Sequence, residues 1–67
     1  MIKIRVNGEH IEIESPLSIS RFLESRGIDA ARTVAELNGE IVPQSGFDTA
    51  ILSEGDKIEL VRFVGGG

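Results

Sequence analysis

Two short segments near the start of the chain alternate between apolar and polar residues. Residues 2–6 carry isoleucine or valine at every second position, and residues 10–14 repeat the pattern. A period of two predicts half-buried β-strands. Asn7-Gly8 lies between them, and a type I′ turn needs the positive φ that both residues tolerate. The sequence therefore predicts a β-hairpin with a two-residue turn.

The hairpin also has a predicted register. Pairing across a two-residue turn places Ile4 opposite Ile11 and Lys3 opposite Glu12. Apolar pairs then share one face of the hairpin, which supports this register. The opposite face is expected to carry an ion pair between Lys3 and Glu12.

A short amphipathic helix is predicted next. Ile19, Phe22 and Leu23 recur at i, i+3 and i+4, the spacing of one helix face. Ser18 is the expected N-cap, because its hydroxyl can accept a hydrogen bond from a first-turn amide. Gly27 is the expected left-handed residue that ends the helix.

Three further strands are predicted in the second half of the chain. Residues 33–38 form one strand, and residues 41–43 form a short edge strand, since proline at 43 cannot donate to a ladder. Residues 57–64 form the last and most apolar strand, with Ile58 and Leu60 facing the core.

The order of these elements predicts the fold class. Phe47, Ile51 and Leu52 lie in a weakly patterned stretch and are expected to fill the core beneath a loop. Hairpin, helix, strand, short strand and strand together predict an α+β fold, a β-grasp (ubiquitin-like) roll. It has a mixed sheet of four to five strands with one main helix packed on one face. Residues 1–64 are expected to form this single domain, and residues 65–67 a flexible C-terminal glycine tail.

Composition narrows the classes of function. The chain has 67 residues, a net charge of -4 and no cysteine, which excludes disulfides, thiolate nucleophiles and cysteine metal sites. The acidic balance argues against nucleic acid or an anionic membrane as the main partner and suits a basic protein surface. The first residues do not resemble a signal peptide, and the apolar runs are short. A cytoplasmic protein that is monomeric when free is expected.

No group of side chains predicts catalysis or metal binding. His10 is the single imidazole, and its place on the charged face of a strand predicts a solvated surface residue. The acidic residues are scattered and lack the spacing of a calcium loop. No catalytic site built from the chain's own side chains is therefore expected.

Three glycines at the C-terminus suggest a function. Glycines add no packing energy and lose much entropy on ordering, so a frayed end is the alternative interpretation. Fully extended, Gly65, Gly66 and Gly67 reach about 10 Å, far enough to thread a carboxylate into another protein's narrow channel. The α-carboxylate of Gly67 is then the predicted reactive group. An ionised carboxylate is a poor electrophile, so a partner that uses ATP must activate it.

A docking surface is predicted beside the tail. Val61 and Phe63 are expected on the outer face of the sheet, beside Val34, and Val64 is predicted to take part in docking with them. Exposed apolar clusters rimmed by charge often mark binding sites. The alternatives are that a loop covers these residues or that they are scattered singly.

Four segments of the chain resemble the ThiS family of thiamin-biosynthesis sulfur carriers. They are the hairpin with Asn7-Gly8, the segment VAELNGEIVP at residues 34–43, Gly55-Asp56, and the ending IELVRFVGGG at residues 58–67. The likeness covers essentially the whole chain. Two positions depart from the family pattern, since Gln44 stands where an arginine is common and Arg21 where an acidic residue is frequent.

The resemblance implies the β-grasp fold and a carrier role. An E1-like (ThiF-type) adenylyltransferase would use ATP to adenylate the glycine that matches Gly67. Sulfur relayed from cysteine through a desulfurase and persulfides would convert the acyl adenylate into a thiocarboxylate. A thiazole synthase (ThiG-type) would take that sulfur for the thiazole ring of thiamin. The chain would be a protein cosubstrate that binds no cofactor of its own.

Three other functions remain open at this point. The small subunit of molybdopterin synthase shares the fold and the thiocarboxylate, but it tends to be longer and to carry prolines before its glycines. A ubiquitin-like modifier would join Gly67 to lysines by isopeptide bonds. A pure binding module would be unaffected by loss of the glycines.

Overall fold

The computed structural model describes residues 1–63. The strands are β1 (Ile2–Val6), β2 (Glu9–Ile13), β3 (Leu17–Ser18), β4 (Thr33–Leu37), β5 (Glu40–Val42), β6 (Ile51–Leu52) and β7 (Lys57–Arg62). The helix α1 is Ile19–Ser25, and short 3-10 turns span Ala30–Arg32 and Gln44–Gly46. Val64 and the predicted tail, residues 65–67, lie outside the described residues.

Five strands form one mixed sheet in the order β2-β1-β7-β4-β5. β1 and β7 run parallel, and the other neighbours in this sheet are antiparallel. With one helix packed on one face, this is the predicted β-grasp architecture. A second, two-stranded sheet of β3 and β6 was not predicted, because two-residue strands are too short to show a period.

The N-terminal hairpin has the predicted turn and register. Asn7 and Gly8 both have positive φ, 49° and 85°. Ile4 pairs with Ile11, so the apolar residues of both strands share the inner face.

The predicted ion pair of the hairpin is wrong. Lys3 and Glu12 are paired in the register, but within residues 1–63 the one ion pair joins Arg32 and Asp29, with 3.7 Å between Nε and Oδ2. Two exposed side chains gain little from pairing in water and lose rotamer entropy when they do. Two oppositely charged residues that are paired in the register therefore need not form an ion pair.

The helix begins and ends at the predicted residues. The Ser18 hydroxyl oxygen accepts a hydrogen bond from the Arg21 amide at 3.1 Å. At the other end Gly27 has φ 69°, and its N–H donates to the Glu24 carbonyl at 3.1 Å, while Ile28 donates to the Leu23 carbonyl at 2.9 Å. These two bonds form a Schellman motif, which satisfies carbonyls at the end of the helix.

The core lies between α1 and the inner face of the five-stranded sheet. Its buried apolar members are Ile4, Ile13, Ile19, Phe22, Leu23, Ala35, Phe47, Leu52 and Ile58. The prediction for Ile51 is wrong, because its neighbour Leu52 faces the core and successive strand residues face opposite sides. Thr33 is buried without having been predicted, and its hydroxyl donates to the Asp29 carbonyl at 2.8 Å.

Replacement of Gly27 tests the helix terminus. No atom lies within 4 Å of a Cβ built at Gly27, so the cost of Gly27→Ala is backbone strain alone. We expect the free energy of unfolding to fall by about 1 kcal/mol. Gly27→Asn should lower the free energy of unfolding by less than Gly27→Ala, since asparagine tolerates the left-handed conformation better than alanine. Urea unfolding of the three proteins measures both, and an alanine variant as stable as the parent would contradict the assignment.

Candidate functional site

The outer face of the sheet carries the predicted apolar residues. The antiparallel register of β4 and β7 places Val34 directly opposite Val61. Val34 is 41% exposed, Val61 62% and Phe63 51%. Their exposure and the position of Val34 beside Val61 are as predicted, and no loop of residues 1–63 covers them. Their role in docking stays a prediction.

Ile41 extends this surface onto the edge strand. Val42 pairs with buried Ala35, so the preceding residue Ile41 points to the outer face, where it is 68% exposed. Sequence reasoning missed Ile41 because β5 is too short to show which side faces inward. We call Val34, Ile41, Val61 and Phe63 the apolar patch.

Two glutamates lie opposite each other beside the apolar patch. Glu36 of β4 pairs directly with Glu59 of β7, and both side chains are on the exposed face. Neither forms an ion pair with any residue that the structure describes. Like charges directly opposite in a sheet are destabilising. This acidic pair emerges only from the register of two strands distant in sequence.

The end of β7 is held in place where the chain leaves the sheet. The Phe63 N–H donates to the Arg32 carbonyl at 3.0 Å, and Arg62 pairs with buried Thr33. Phe63 therefore fixes where the chain enters the tail, next to the apolar patch. The predicted site residues Val64, Gly65, Gly66 and Gly67 lie outside the described residues.

The two positions that depart from the family pattern differ in their contacts. The Gln44 side-chain amide donates to the carbonyls of Ala30 and Ala31, both at 3.0 Å. It thereby joins the segment after β5 to the turn before β4, a structural contact that the sequence did not reveal. Arg21 lies exposed on α1, away from the outer face.

The described residues contain no candidate for metal chemistry. His10 is exposed, as predicted, and its Nε2 lies 3.3 Å from Nη2 of Arg5. Within residues 1–63 no three metal-ligating side chains gather in one place. No helix in this part of the chain has the length and apolar character of a membrane span.

Comparison with known proteins assigns the chain to a family. Residues 3–67 match the model of the ThiS family, a match that includes the C-terminal glycines. The chain belongs to the ThiS family. The sequence-based resemblance to ThiS proteins is thereby confirmed.

Solved structures of similar proteins agree with the fold. The crystal structure of a thiamine biosynthesis protein (ThiS) from Geobacter metallireducens superposes with a TM-score of 0.86 at 29% identity. The superposition covers 98% of this chain and 100% of that one. The solution structure of a thiamine biosynthesis protein from the same organism gives a TM-score of 0.79, also at 29% identity, covering 98% of this chain and 88% of that one.

Sequence relatives fall into two kinds. A thiazole synthase of Paramagnetospirillum magneticum is 35% identical over 66 residues, which are 98% of this chain and 20% of that protein. This ThiS-family chain thus spans about a fifth of the length of that thiazole synthase. An uncharacterized protein, ycf40, of Pyropia yezoensis is 33% identical over 66 residues, 98% of this chain and 93% of that one.

Removing one charge tests the acidic pair. Glu36→Gln relieves the repulsion from Glu59, so we expect the free energy of unfolding to rise by about 0.5 kcal/mol at low salt. The gain should shrink at high salt, because exposed charges are screened. Glu40→Gln is the matched control, since Glu40 pairs with Leu37 rather than with an acid. Urea unfolding at two salt concentrations measures both. Equal effects of the two substitutions would contradict the interpretation.

Proposed function

We propose that this ThiS-family chain is a sulfur carrier in thiamin biosynthesis, with the α-carboxylate of Gly67 as its reactive group. The observation that carries the proposal is the family match, which extends through residue 67. A ThiS protein superposes on the described residues over nearly the whole chain. In this proposal the chain is a protein cosubstrate, and the catalytic groups belong to its partners.

The chemistry begins with activation of the Gly67 carboxylate. A carboxylate oxygen attacks the α-phosphorus of ATP in an E1-like adenylyltransferase, and pyrophosphate leaves. The terminal sulfur of a persulfide, supplied by a desulfurase, then attacks the acyl carbon and AMP leaves. A thiol reduces the resulting acyl disulfide, which frees the thiocarboxylate and leaves a disulfide behind. Sulfur thus replaces one oxygen of the terminus.

The domain positions the terminus for this reaction. Residues 1–64 act as the body that the enzyme binds, and residues 65–67 extend into its active site as a thin backbone. The hydrogen bond from Phe63 to Arg32 supports this division, because it fixes the direction of the chain just before the tail. Glycine at 65 and 66 lets the backbone pass through a channel that side chains would block.

The apolar patch is the surface with which the chain docks on the activating enzyme. Phe63 lies where the chain leaves the sheet, and the exposed side chains of Val34 and Val61 are close to it. Ile41 lies farther along the same face, opposite Glu36. A protein that binds the patch would therefore also receive the tail. The acidic pair, Glu36 and Glu59, borders the patch and favours an enzyme surface with basic residues there.

A thiazole synthase is the proposed acceptor of the sulfur. In the Paramagnetospirillum protein named thiazole synthase, a segment similar to this chain shares one polypeptide with a much larger remainder. A second thiazole synthase, from Magnetococcus marinus, shows the same relation at 32% identity, with this chain matching 20% of its length. A carrier domain tethered to the enzyme has a high effective concentration at the active site. This arrangement supports thiazole synthase as the physiological partner.

Intact mass spectrometry tests the reactive group. Incubation with the activating enzyme, ATP and a persulfide source should add about 16 Da to the protein, the change from oxygen to sulfur. A variant lacking Gly67 should gain nothing, although its urea unfolding should match the parent. The mass before reaction checks that Gly67 carries the free carboxylate. Covalent adducts with other proteins would instead indicate a ubiquitin-like modifier, and thiocarboxylate formation without Gly67 would contradict the proposal.

A pair of matched substitutions tests the apolar patch. Phe63→Ala should raise the apparent KM for adenylation by about tenfold, because an exposed aromatic ring is a typical anchor of an interface. Ile51→Ala is the control, since Ile51 is 47% exposed but lies on β6, outside the five-stranded sheet. Pyrophosphate release at varied carrier concentration measures both. An equal KM for the two variants would show that the patch does not dock the enzyme.

A further inference from the structure

The end of the sheet's outer face that lies away from the apolar patch contains an open basin of about 560 Å³, lined in part by basic side chains. Lys3, Arg5, His10 and Lys57 contribute its basic side chains. All four are exposed. We call this feature the basic basin. Its lining has three cations, Lys3, Arg5 and Lys57, against two carboxylates, Glu54 and Asp56, a net charge of +1 (3 − 2), whereas the chain as a whole has a net charge of -4.

The two carboxylates that also line the basin accept hydrogen bonds from backbone and amide N–H groups. Glu54 accepts a hydrogen bond from the backbone N–H of Lys3 at 3.0 Å. Asp56 accepts from the Ser53 backbone N–H at 2.8 Å and from the Asn38 side chain at 3.1 Å. These donors are neutral and leave both carboxylates charged, but Lys3, Arg5 and Lys57 form no ion pair with them in the described part of the chain.

The strand register concentrates these cations. Arg5 is paired with Lys57 across the parallel strands β1 and β7. Arg5 is also opposite His10 across the antiparallel strands β1 and β2, and the two side chains are within hydrogen-bond distance, with 3.3 Å between Nη2 and Nε2. Like charges at directly opposed positions, here Arg5 and Lys57, are unfavourable in an isolated sheet. An anionic partner would relieve this repulsion.

The basin lies too far from the start of the tail to be reached by the Gly67 carboxylate. Lys57 begins β7 and Phe63 follows its last residue, so the two are roughly 20 Å apart at the rise of a strand. Val64 and the three glycines span at most about 14 Å when fully extended. The basin is therefore a surface separate from the site of adenylation.

The shape of the basin favours a polypeptide over a small anion. Its basic groups are exposed side chains on three different strands around a wide opening, and the Lys3 backbone N–H is already bonded to Glu54. A segment with several Asp or Glu carboxylates could contact these cations together. Such contacts are typical of electrostatic complementarity between proteins.

We propose that the basic basin receives an acidic segment of the activating enzyme, an inference that rests on the proposed function. β7 connects the two surfaces, because Lys57, Glu59 and Val61 alternate onto the same face. Along this face the side chains change from basic at Lys57 to acidic at Glu59 and apolar at Val61. A complementary enzyme surface fits in one orientation only, and this orientation directs the tail towards the active site.

Charge reversal tests the basin. We expect Lys57→Glu to weaken the Kd for the activating enzyme by about fivefold or more at low salt. Arg21→Glu changes the net charge equally but lies on α1, so it is the matched control. The dependence of log Kd on log salt should become shallower for Lys57→Glu alone. Calorimetric titrations at about 50 and about 500 mM salt measure these effects.

The outcomes separate this inference from the proposed function. Thermal unfolding checks each variant, and Lys57→Gln serves as a second variant that removes the charge without adding a new one. If both Lys57 variants bind as tightly as Arg21→Glu, the basin is only a solvated surface and the inference is overturned. Failure of the parent protein to form a thiocarboxylate would overturn the proposed function instead.

Discussion

The contact between α1 and one face of the five-stranded sheet is the interaction on which the rest of the structure depends. Phe22 and Leu23 of the helix are almost fully buried in the same core as Ile4 and Ile58 of the parallel strands β1 and β7. Each such side chain contributes about 2 kcal/mol of hydrophobic free energy on burial. Because a chain of this size builds one core, the other face of the sheet stays open. Its residues are therefore available for contacts with partners.

β7 connects the core with both candidate functional surfaces. On its inner side Ile58 is buried, while on its outer side Lys57 lines the basic basin and Val61 belongs to the apolar patch. The strand ends at Arg62, and the following Phe63 donates a hydrogen bond to the Arg32 carbonyl. In the proposed function, this arrangement lets a domain without a catalytic constellation in its described part deliver a backbone carboxylate. The sheet would provide orientation, and Gly67 would provide the reactive atom.

Features set by local sequence could be predicted, whereas the exact pairing of strands distant in sequence could not, although Val34 was correctly expected beside Val61. The Asn7-Gly8 turn and the Ser18 and Gly27 caps follow from conformational preferences of single residues, and they occur where predicted. The acidic pair depends on the alignment of β4 with β7, which no local pattern specifies. Ile51 was misplaced for a related reason, because a two-residue strand has no period from which its face could be inferred. The tail, residues 65–67, was predicted from the three glycines after the last strand, and it lies outside the described residues.

Methyl NMR of the labelled carrier during titration with the unlabelled activating enzyme tests the central claim most directly. The claim is that the enzyme binds the outer face of β4 and β7. It predicts that the methyl signals of Val34, Ile41 and Val61 shift or broaden, while those of Ile51 and Leu23 do not. Changes centred on α1 and Ile51, with the outer face unaffected, would contradict it.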